Sequence, residues 1–205
     1  MRRPQKIRKF IIYAVYILLF TTIQVTFPGK PSIYGIRPDL TFVMVVLCSY
    51  MFGFYDGIVI GAVTGIIRDY FSAPSVTGID GTVNTAVGIG LFVMVAAAAF
   101  GASFFTVRIE RNFILAVLSV LIATLLYKSI GHFTIFLWSK AVPNLSYNMK
   151  LSQILLKSIL PQMILNLLAA VPLYLLLRFA GPYKKGVNPV LIDEKRKGDN
   201  SWLTM

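Results

Sequence analysis

The sequence predicts an all-α protein, a polytopic membrane bundle of about six transmembrane helices. Of its 205 residues, 57% are hydrophobic and only 14% are charged, whereas about a quarter of a soluble domain is charged. The apolar residues occur in blocks of about 20, the length that crosses a hydrocarbon core of about 30 Å. The net charge of +12 is carried by short flanks of these blocks, which is typical of membrane orientation and not of nucleic-acid binding.

The chain divides into three parts on this basis. Residues 1–9 form a basic N-terminus, residues 10–180 a six-span transmembrane domain, and residues 181–205 a basic tail that we expect to be disordered. The first span runs from Phe10 to about Phe27, and we expect it to be retained because no small-residue cleavage motif follows it.

The second span is short and runs from about Pro38 to Phe52. Its start is favoured by Pro38, which has no N–H to leave unpaired, and by Asp39, which suits the positive end of the helix dipole. Residues 53–57 are predicted to form a tight cytoplasmic turn that leads into the third span, which ends at about Phe71.

The third span carries a face of small residues. Gly57, Gly61 and Gly65 recur every four positions, so they fall within about 80° of one another around a helix. Such a face permits close packing against neighbouring helices. Arg68 and Asp69 project toward the same side, and the sequence therefore predicts that both charges face protein and not lipid.

The remaining spans are separated by polar loops with turn residues at positions 72–82, 106–112 and 139–152. Two prolines, Pro161 and Pro172, are expected to bound or kink the last span. The predicted spans are Val83–Phe105, Phe113–Trp138, and a sixth from Ile154 or Pro161 to Phe179.

The distribution of bases orients this topology. Thirteen Lys and Arg residues lie on the predicted cytoplasmic side and four lie outside, so the positive-inside rule places both termini in the cytoplasm. The thirteen are Arg2, Arg3, Lys6, Arg8, Lys9, Arg108, Arg111, Arg178, Lys184, Lys185, Lys195, Arg196 and Lys197, and the four are Lys30, Arg37, Lys140 and Lys150.

Lys128 and His132 lie four residues apart within the fifth span, on one helix face. Lys128 is predicted near mid-membrane, where it either snorkels or pairs with an acid, or contacts an anionic ligand or a proton path. His132 is interpreted as a hydrogen-bonded packing residue, with a proton shuttle as the alternative.

The acidic residues have similar paired interpretations. Arg68 and Asp69 either form a local charge pair or contact a partner or the outer loops. By default, Asp39, Asp56 and Asp80 are helix-start or turn residues.

The sequence gives no support for catalysis or a metal site. It contains no HExxH motif, no phosphate loop and no Ser/His/Asp arrangement. A single cysteine, Cys48, and a single histidine are too few for a zinc site. We therefore expect no enzymatic activity, no cofactor and no metal.

Three motifs carry a family resemblance. Gly35-Ile36-Arg37-Pro38-Asp39-Leu40 opens a short apolar span, Gly65-Ile66-Ile67-Arg68-Asp69 ends a glycine-spaced helix, and a loop with Gly78 follows. In this order the motifs resemble the rod shape-determining protein MreD family, and the resemblance covers most of the chain. Pro38, Asp39, Gly65, Asp69 and Gly78 match the family pattern. The longer first outer loop and the basic tail depart from it.

The resemblance implies a non-enzymatic component of the machinery for cell elongation and peptidoglycan synthesis, in the bacterial cytoplasmic membrane. The implied partner is MreC, and through it MreB, RodA and a class B penicillin-binding protein. The implied fold is similar to the S component of energy-coupling factor transporters. An alternative therefore stays open, a vitamin importer subunit in which Arg68, Lys128, His132 and Asn166 line a pocket.

Overall fold

The computed structural model of the chain describes residues 3–26, 32–72, 75–77, 83–85, 88–106, 112–141 and 151–183. Its helices are α1 (Arg3–Thr26), α2 (Leu40–Phe52), α3 (Phe54–Ser72), α4 (Ile89–Thr106), α5 (Phe113–Ala141), α6 (Leu151–Ile154) and α7 (Leu160–Phe179). A π-helical segment, Leu155–Ile159, joins α6 to α7, so these three elements form one continuous helical rod.

Helix α2 lies at the centre of the bundle. Every residue from Thr41 to Phe52 is buried, and α2 contacts α1, α3, α4, α5 and α7. A helix that is apolar on all sides is expected to be buried on all sides. Its 13 residues span about 20 Å at the usual rise of 1.5 Å per residue, so α2 is shorter than most helices around it.

The helices around α2 alternate in direction. Lys9, near the start of α1, pairs with Asp56 in the first turn of α3, whereas Gln24, near the end of α1, bonds to the backbone before α2. After α7 the chain returns to the first of these ends, because Tyr183 also bonds to Asp56. The first and last described parts of the chain therefore meet at one end of the bundle.

The helices have the character of a membrane bundle. Three of them in the described part of the chain are long and apolar enough to cross a membrane: Lys6–Thr26, Phe113–Phe133 and Leu151–Phe179. Large apolar side chains also point outward, as they do toward lipid; Phe10 is 77% exposed and Phe92 is 74% exposed. The count of six spans, the identity of the membrane and the orientation of the termini stay predictions.

A small hairpin interrupts the all-α pattern before α4. Strand β1 (Ser75–Thr77) pairs antiparallel with β2 (Val83–Thr85). The predicted start of the fourth span at Val83 was therefore wrong, and α4 begins at Ile89. The residues of β2 include Val and Thr, which favour extended backbone, and Gly88 with φ +104° adopts a conformation that cannot extend the helix backward.

The boundaries of α2 also differ from the prediction. Pro38 precedes the helix instead of lying in its first turn, because the Asp39 side chain caps the helix and accepts from Phe42 N–H. The predicted turn at 53–57 is reduced to Gly53, whose φ of +98° reverses the chain before α3 begins at Phe54.

The expected disorder from residue 181 onward does not hold for the first three residues of the tail. Gly181 and Pro182 are buried. The ring of Tyr183 lies 5.6 Å from that of Phe52, and its hydroxyl donates to Asp56, which fixes this segment against the bundle. The rest of the predicted tail lies outside the described residues.

Candidate functional site

The first polar site surrounds the N-terminus of α2, and we call Asp39, Arg68, Tyr127, Gln162 and Asn166 the Asp39 cluster. Arg68 Nη1 lies 2.7 Å from Asp39 Oδ2 and forms an ion pair with it. The other carboxylate oxygen of Asp39 accepts from Phe42 N–H at 3.1 Å and from the Thr41 hydroxyl at 3.0 Å. One carboxylate thus caps α2 and ties it to α3.

Helices α5 and α7 complete the cluster. Arg68 Nη2 donates to the Tyr127 hydroxyl at 3.1 Å, and the guanidinium carbon lies 5.9 Å from the centre of that ring. The Asn166 side chain accepts from the backbone N–H of Asp39 at 2.9 Å and donates to the Thr124 hydroxyl at 3.1 Å. The end of α2 is therefore bonded directly to α3 and α7, and through Arg68 and Asn166 to α5.

Two glutamines hold the backbone that leads into α2. Gln24 in α1 accepts from Leu40 N–H at 3.0 Å and donates to Pro38 C=O at 3.2 Å. Gln162 in α7 donates to Arg37 C=O at 2.9 Å and to Asn166 Oδ1 at 3.0 Å. Buried backbone groups that lack a helix partner are costly unless paired, and these side chains supply the pairing.

Asp69 performs a separate task at the start of α4. Its carboxylate accepts three backbone N–H groups, from Gly88 at 3.0 Å, Gly90 at 2.7 Å and Leu91 at 3.0 Å. The first N–H groups of a helix lack intrahelical partners and attract negative charge. The interpretation of Arg68 and Asp69 as a local charge pair was therefore wrong, because Arg68 binds α2 and Asp69 binds α4.

The second polar site lies at the opposite end of α2, and we call Lys9, Tyr13, Asp56 and Tyr183 the Asp56 cluster. Asp56 is buried and pairs with Lys9. Its other oxygen accepts from the Tyr13 hydroxyl at 2.8 Å and from the Tyr183 hydroxyl. The predicted turn residue Asp56 thus joins α1, α3 and the segment after α7.

The glycine face of α3 lies against α2 and α4. A Cβ atom added to Gly61 would lie 2.8 Å from Met94 O, and one added to Gly65 would lie 2.5 Å from Leu91 Cα. A Cβ at Gly57 would lie 2.9 Å from the backbone Cα of Ser49. These distances leave no room for a side chain, so the glycines permit backbone contact between helices.

Of the two remaining predicted motif residues, only Gly35 lies in the part of the chain that the structure describes. Gly35 lies in a tight turn with φ +78°, bridged by hydrogen bonds of 3.0 Å between Ile33 and Ile36, and nothing lies within 4 Å of its missing Cβ. The conformation, and not the space, requires glycine there. Gly78 and Asp80 lie outside the described residues.

Lys128 lies midway between the centre and the end of the 21-residue span Phe113–Phe133. It follows Tyr127, which contacts Arg68 beside the N-terminus of α2, and its predicted position near mid-membrane stays a prediction. The Lys128 Nζ atom lies 5.8 Å from the Tyr127 ring centre. His132 Nε2 is 2.8 Å from Ser158 Oγ in the π-helical segment.

Sequence reasoning missed several residues of the two clusters. Tyr127, Gln162 and Tyr183 were not predicted as site residues, because single tyrosines and glutamines in apolar runs have no characteristic spacing. One signal was present, since Gln162 and Asn166 lie four residues apart and so share a helix face. A pair of amides on one face of an apolar helix indicates a buried polar partner.

The described polar residues bond helices to one another and provide few groups for catalysis or metal binding. In the parts of the chain that the structure covers, no group of three or more His, Cys, Asp or Glu residues could hold a metal ion. The three described carboxylates, Asp39, Asp56 and Asp69, all join one helix to another. Comparisons of the chain with protein-family models, curated proteins and solved structures gave no match.

Proposed function

We propose that this chain is a non-enzymatic membrane scaffold of the bacterial cell-elongation machinery, similar to the MreD family. In this proposal it binds MreC within the cytoplasmic membrane and at its outer surface. Through MreC it supports MreB, RodA and a class B penicillin-binding protein in peptidoglycan synthesis. The proposed fold is that of an S component, with both termini in the cytoplasm.

The observation that carries the proposal is the set of bonds that the motif residues form within the bundle. Asp39 and Arg68 form an ion pair, and Asp69 caps α4. The residues on which the resemblance depends therefore hold the bundle together. A protein whose polar residues fix its own helices is suited to present a rigid surface to a partner.

The same contacts argue against acid–base catalysis. A catalytic carboxylate needs access to substrate and a suitable protonation state. Asp39 accepts from Arg68, Thr41 and Phe42, and Asp69 accepts from three backbone N–H groups. Each carboxylate is engaged in three structural hydrogen bonds, which supports the non-enzymatic interpretation.

Depletion of the protein in a rod-shaped host tests the proposal. We expect depleted cells to become round and to insert wall material irregularly, and a plasmid copy of the chain to restore both. Copurification from native membranes should recover MreC with the wild-type chain. Cells that keep their shape and normal wall insertion after depletion would contradict the scaffold function.

A matched pair of variants sharpens this test. Arg68→Gln removes the ion pair that joins α2 to α3, and we expect it to lower recovery of MreC and complementation. Lys157→Gln removes one charge from an exposed position in the π-helical segment, and we expect it to behave as wild type. Equal recovery of MreC with both variants would show that MreC binding does not depend on the Asp39 cluster.

The importer subunit remains the alternative proposal. Two of its four pocket residues, Arg68 and Asn166, already bond to Asp39, and His132 contacts Ser158. A vitamin retained after gentle extraction, together with ligand uptake that depends on the chain, would favour the importer. Absence of any such ligand, with MreC recovered, would favour the scaffold.

A further inference from the structure

Lys128 is a half-buried cation with no acidic partner among the residues that the structure describes. The ring centre of Tyr127 lies 5.8 Å from Lys128 Nζ. Arg68 lies over the same ring at 5.9 Å. Two cations therefore flank a single tyrosine.

Among the described residues, the charges around this tyrosine do not cancel. Arg68 is neutralised by Asp39 at 2.7 Å. Asp69 is occupied by the N-terminus of α4, and Asp56 lies at the other end of α2 with Lys9. These are the described acidic residues, and none of them forms an ion pair with Lys128.

Polar groups continue from Lys128 along the same surface. His132 lies one helical turn further on α5 and therefore shares its face. Its Nε2 atom meets Ser158 Oγ at 2.8 Å, across the contact with the π-helical segment Leu155–Ile159. Single π-helical turns inside longer helices are frequent at functional sites. A lysine, a histidine and a serine thus line the junction of two helices.

The position of this group, beside the polar residues that lead into α2, suits a lipid headgroup. Tyr127 and Lys128 lie level with the polar N-terminus of α2, where Asp39 and Arg68 also lie. Apolar side chains next to them are exposed, with Ile130 at 61% and Phe133 at 60%. A lysine stem lying on apolar surface with its ammonium group at a membrane interface is a favourable arrangement.

We propose that Lys128, His132 and Ser158 form a binding site for the phosphate of an anionic phospholipid headgroup. Lys128 supplies the charge, and Ser158 and His132 supply hydrogen-bonding groups at the junction of α5 and the π-helical segment. A phosphate diester carries the negative charge that the described residues lack here. Lipid is the source because exposed apolar side chains border the site, whereas free phosphate would gain nothing from them. The inference holds for a scaffold and for an importer subunit alike.

Lipid titration of the purified full chain tests this site. The protein in mild detergent is titrated with phosphatidylglycerol or with phosphatidylcholine of the same acyl chains, and bound lipid is counted by native mass spectrometry. Wild type should prefer phosphatidylglycerol. Lys128→Gln should weaken phosphatidylglycerol binding about tenfold, the loss expected for one hydrogen bond to a charged group. Lys128→Arg should retain most of the binding.

Lys157→Gln is the matched control, because it removes the same charge from an exposed position next to Ser158. It should bind phosphatidylglycerol as wild type does. Equal binding of the two lipids by wild type, or an equal loss in the Lys128→Gln and Lys157→Gln variants, would overturn the site. Displacement of phosphatidylglycerol by millimolar inorganic phosphate would overturn the assignment to lipid. The comparison of the two lipids needs no variant, so equal binding would overturn the site even if Lys128→Gln failed to fold.

Discussion

Breaking the ion pair between Asp39 and Arg68 should destabilise the bundle far more than removing an exposed charge. Removal of one partner from a buried pair leaves the other charge uncompensated and costs about 3–5 kcal/mol. The Asp39 side chain is 12% exposed and that of Arg68 is 29% exposed, so the lower end of that range applies. We expect Asp39→Asn and Arg68→Gln each to lower the free energy of unfolding by about 3 kcal/mol.

The double variant makes the prediction specific to the pair. Asparagine is also a good helix cap, so Asp39→Asn removes the charge while keeping the bond to Phe42 N–H. With both charges absent, no ion is left unpaired, and the loss should fall short of the sum of the two single losses by about 2 kcal/mol. Equilibrium unfolding in mixed micelles measures all four free energies.

The control is Arg178→Gln, which removes an exposed base at the end of α7. Its effect should stay within about 0.5 kcal/mol. Additive losses for Asp39→Asn and Arg68→Gln would refute the reasoning, since they would show that the two charges do not interact in the folded protein.

Three further predictions concern the helix contacts. Gly61→Leu should abolish the yield of monodisperse protein, because even a Cβ would lie 2.8 Å from Met94 O. The control Gly131→Ala should be tolerated, because nothing lies within 4 Å of its missing Cβ. Normal complementation by Gly61→Leu would contradict the close packing. Asp69→Ala should cost about 2 kcal/mol by removing the acceptor at the start of α4, and hydrogen exchange of those amides should accelerate; unchanged exchange would show that the cap is dispensable. Tyr183→Phe should cost about 1 kcal/mol through the lost bond to Asp56, measured by the same unfolding titration; a larger loss would indicate a role beyond that bond.

Sequence reasoning identified the local features of the fold and missed the long-range ones. The start of α2 depends on Asp39 and the apolar run that follows it, and both are visible in a short window. The glycine spacing of α3 likewise predicts a packed face from four-residue periodicity. These features depend on neighbouring residues, so a sequence window contains the information needed to predict them.

The partners of the buried polar groups are not local. Asn166 bonds to the backbone of Asp39 across 127 residues, and Tyr183 reaches Asp56 across the same separation. Composition and periodicity do not say which of several helices will contribute the matching group. The hairpin before α4 was missed for a different reason, because two three-residue strands are too short to produce a clear alternation.

The bond between Asp39 and Asn166 also has a consequence for the order of synthesis. A ribosome delivers α2 and α3 long before it delivers α7, so the Arg68 pairing can form early while the N–H of Asp39 still awaits its acceptor. The contact of Tyr183 with Asp56 forms later still. A nascent chain that stops before Asn166 therefore lacks the acceptor that the Asp39 N–H has in the folded bundle.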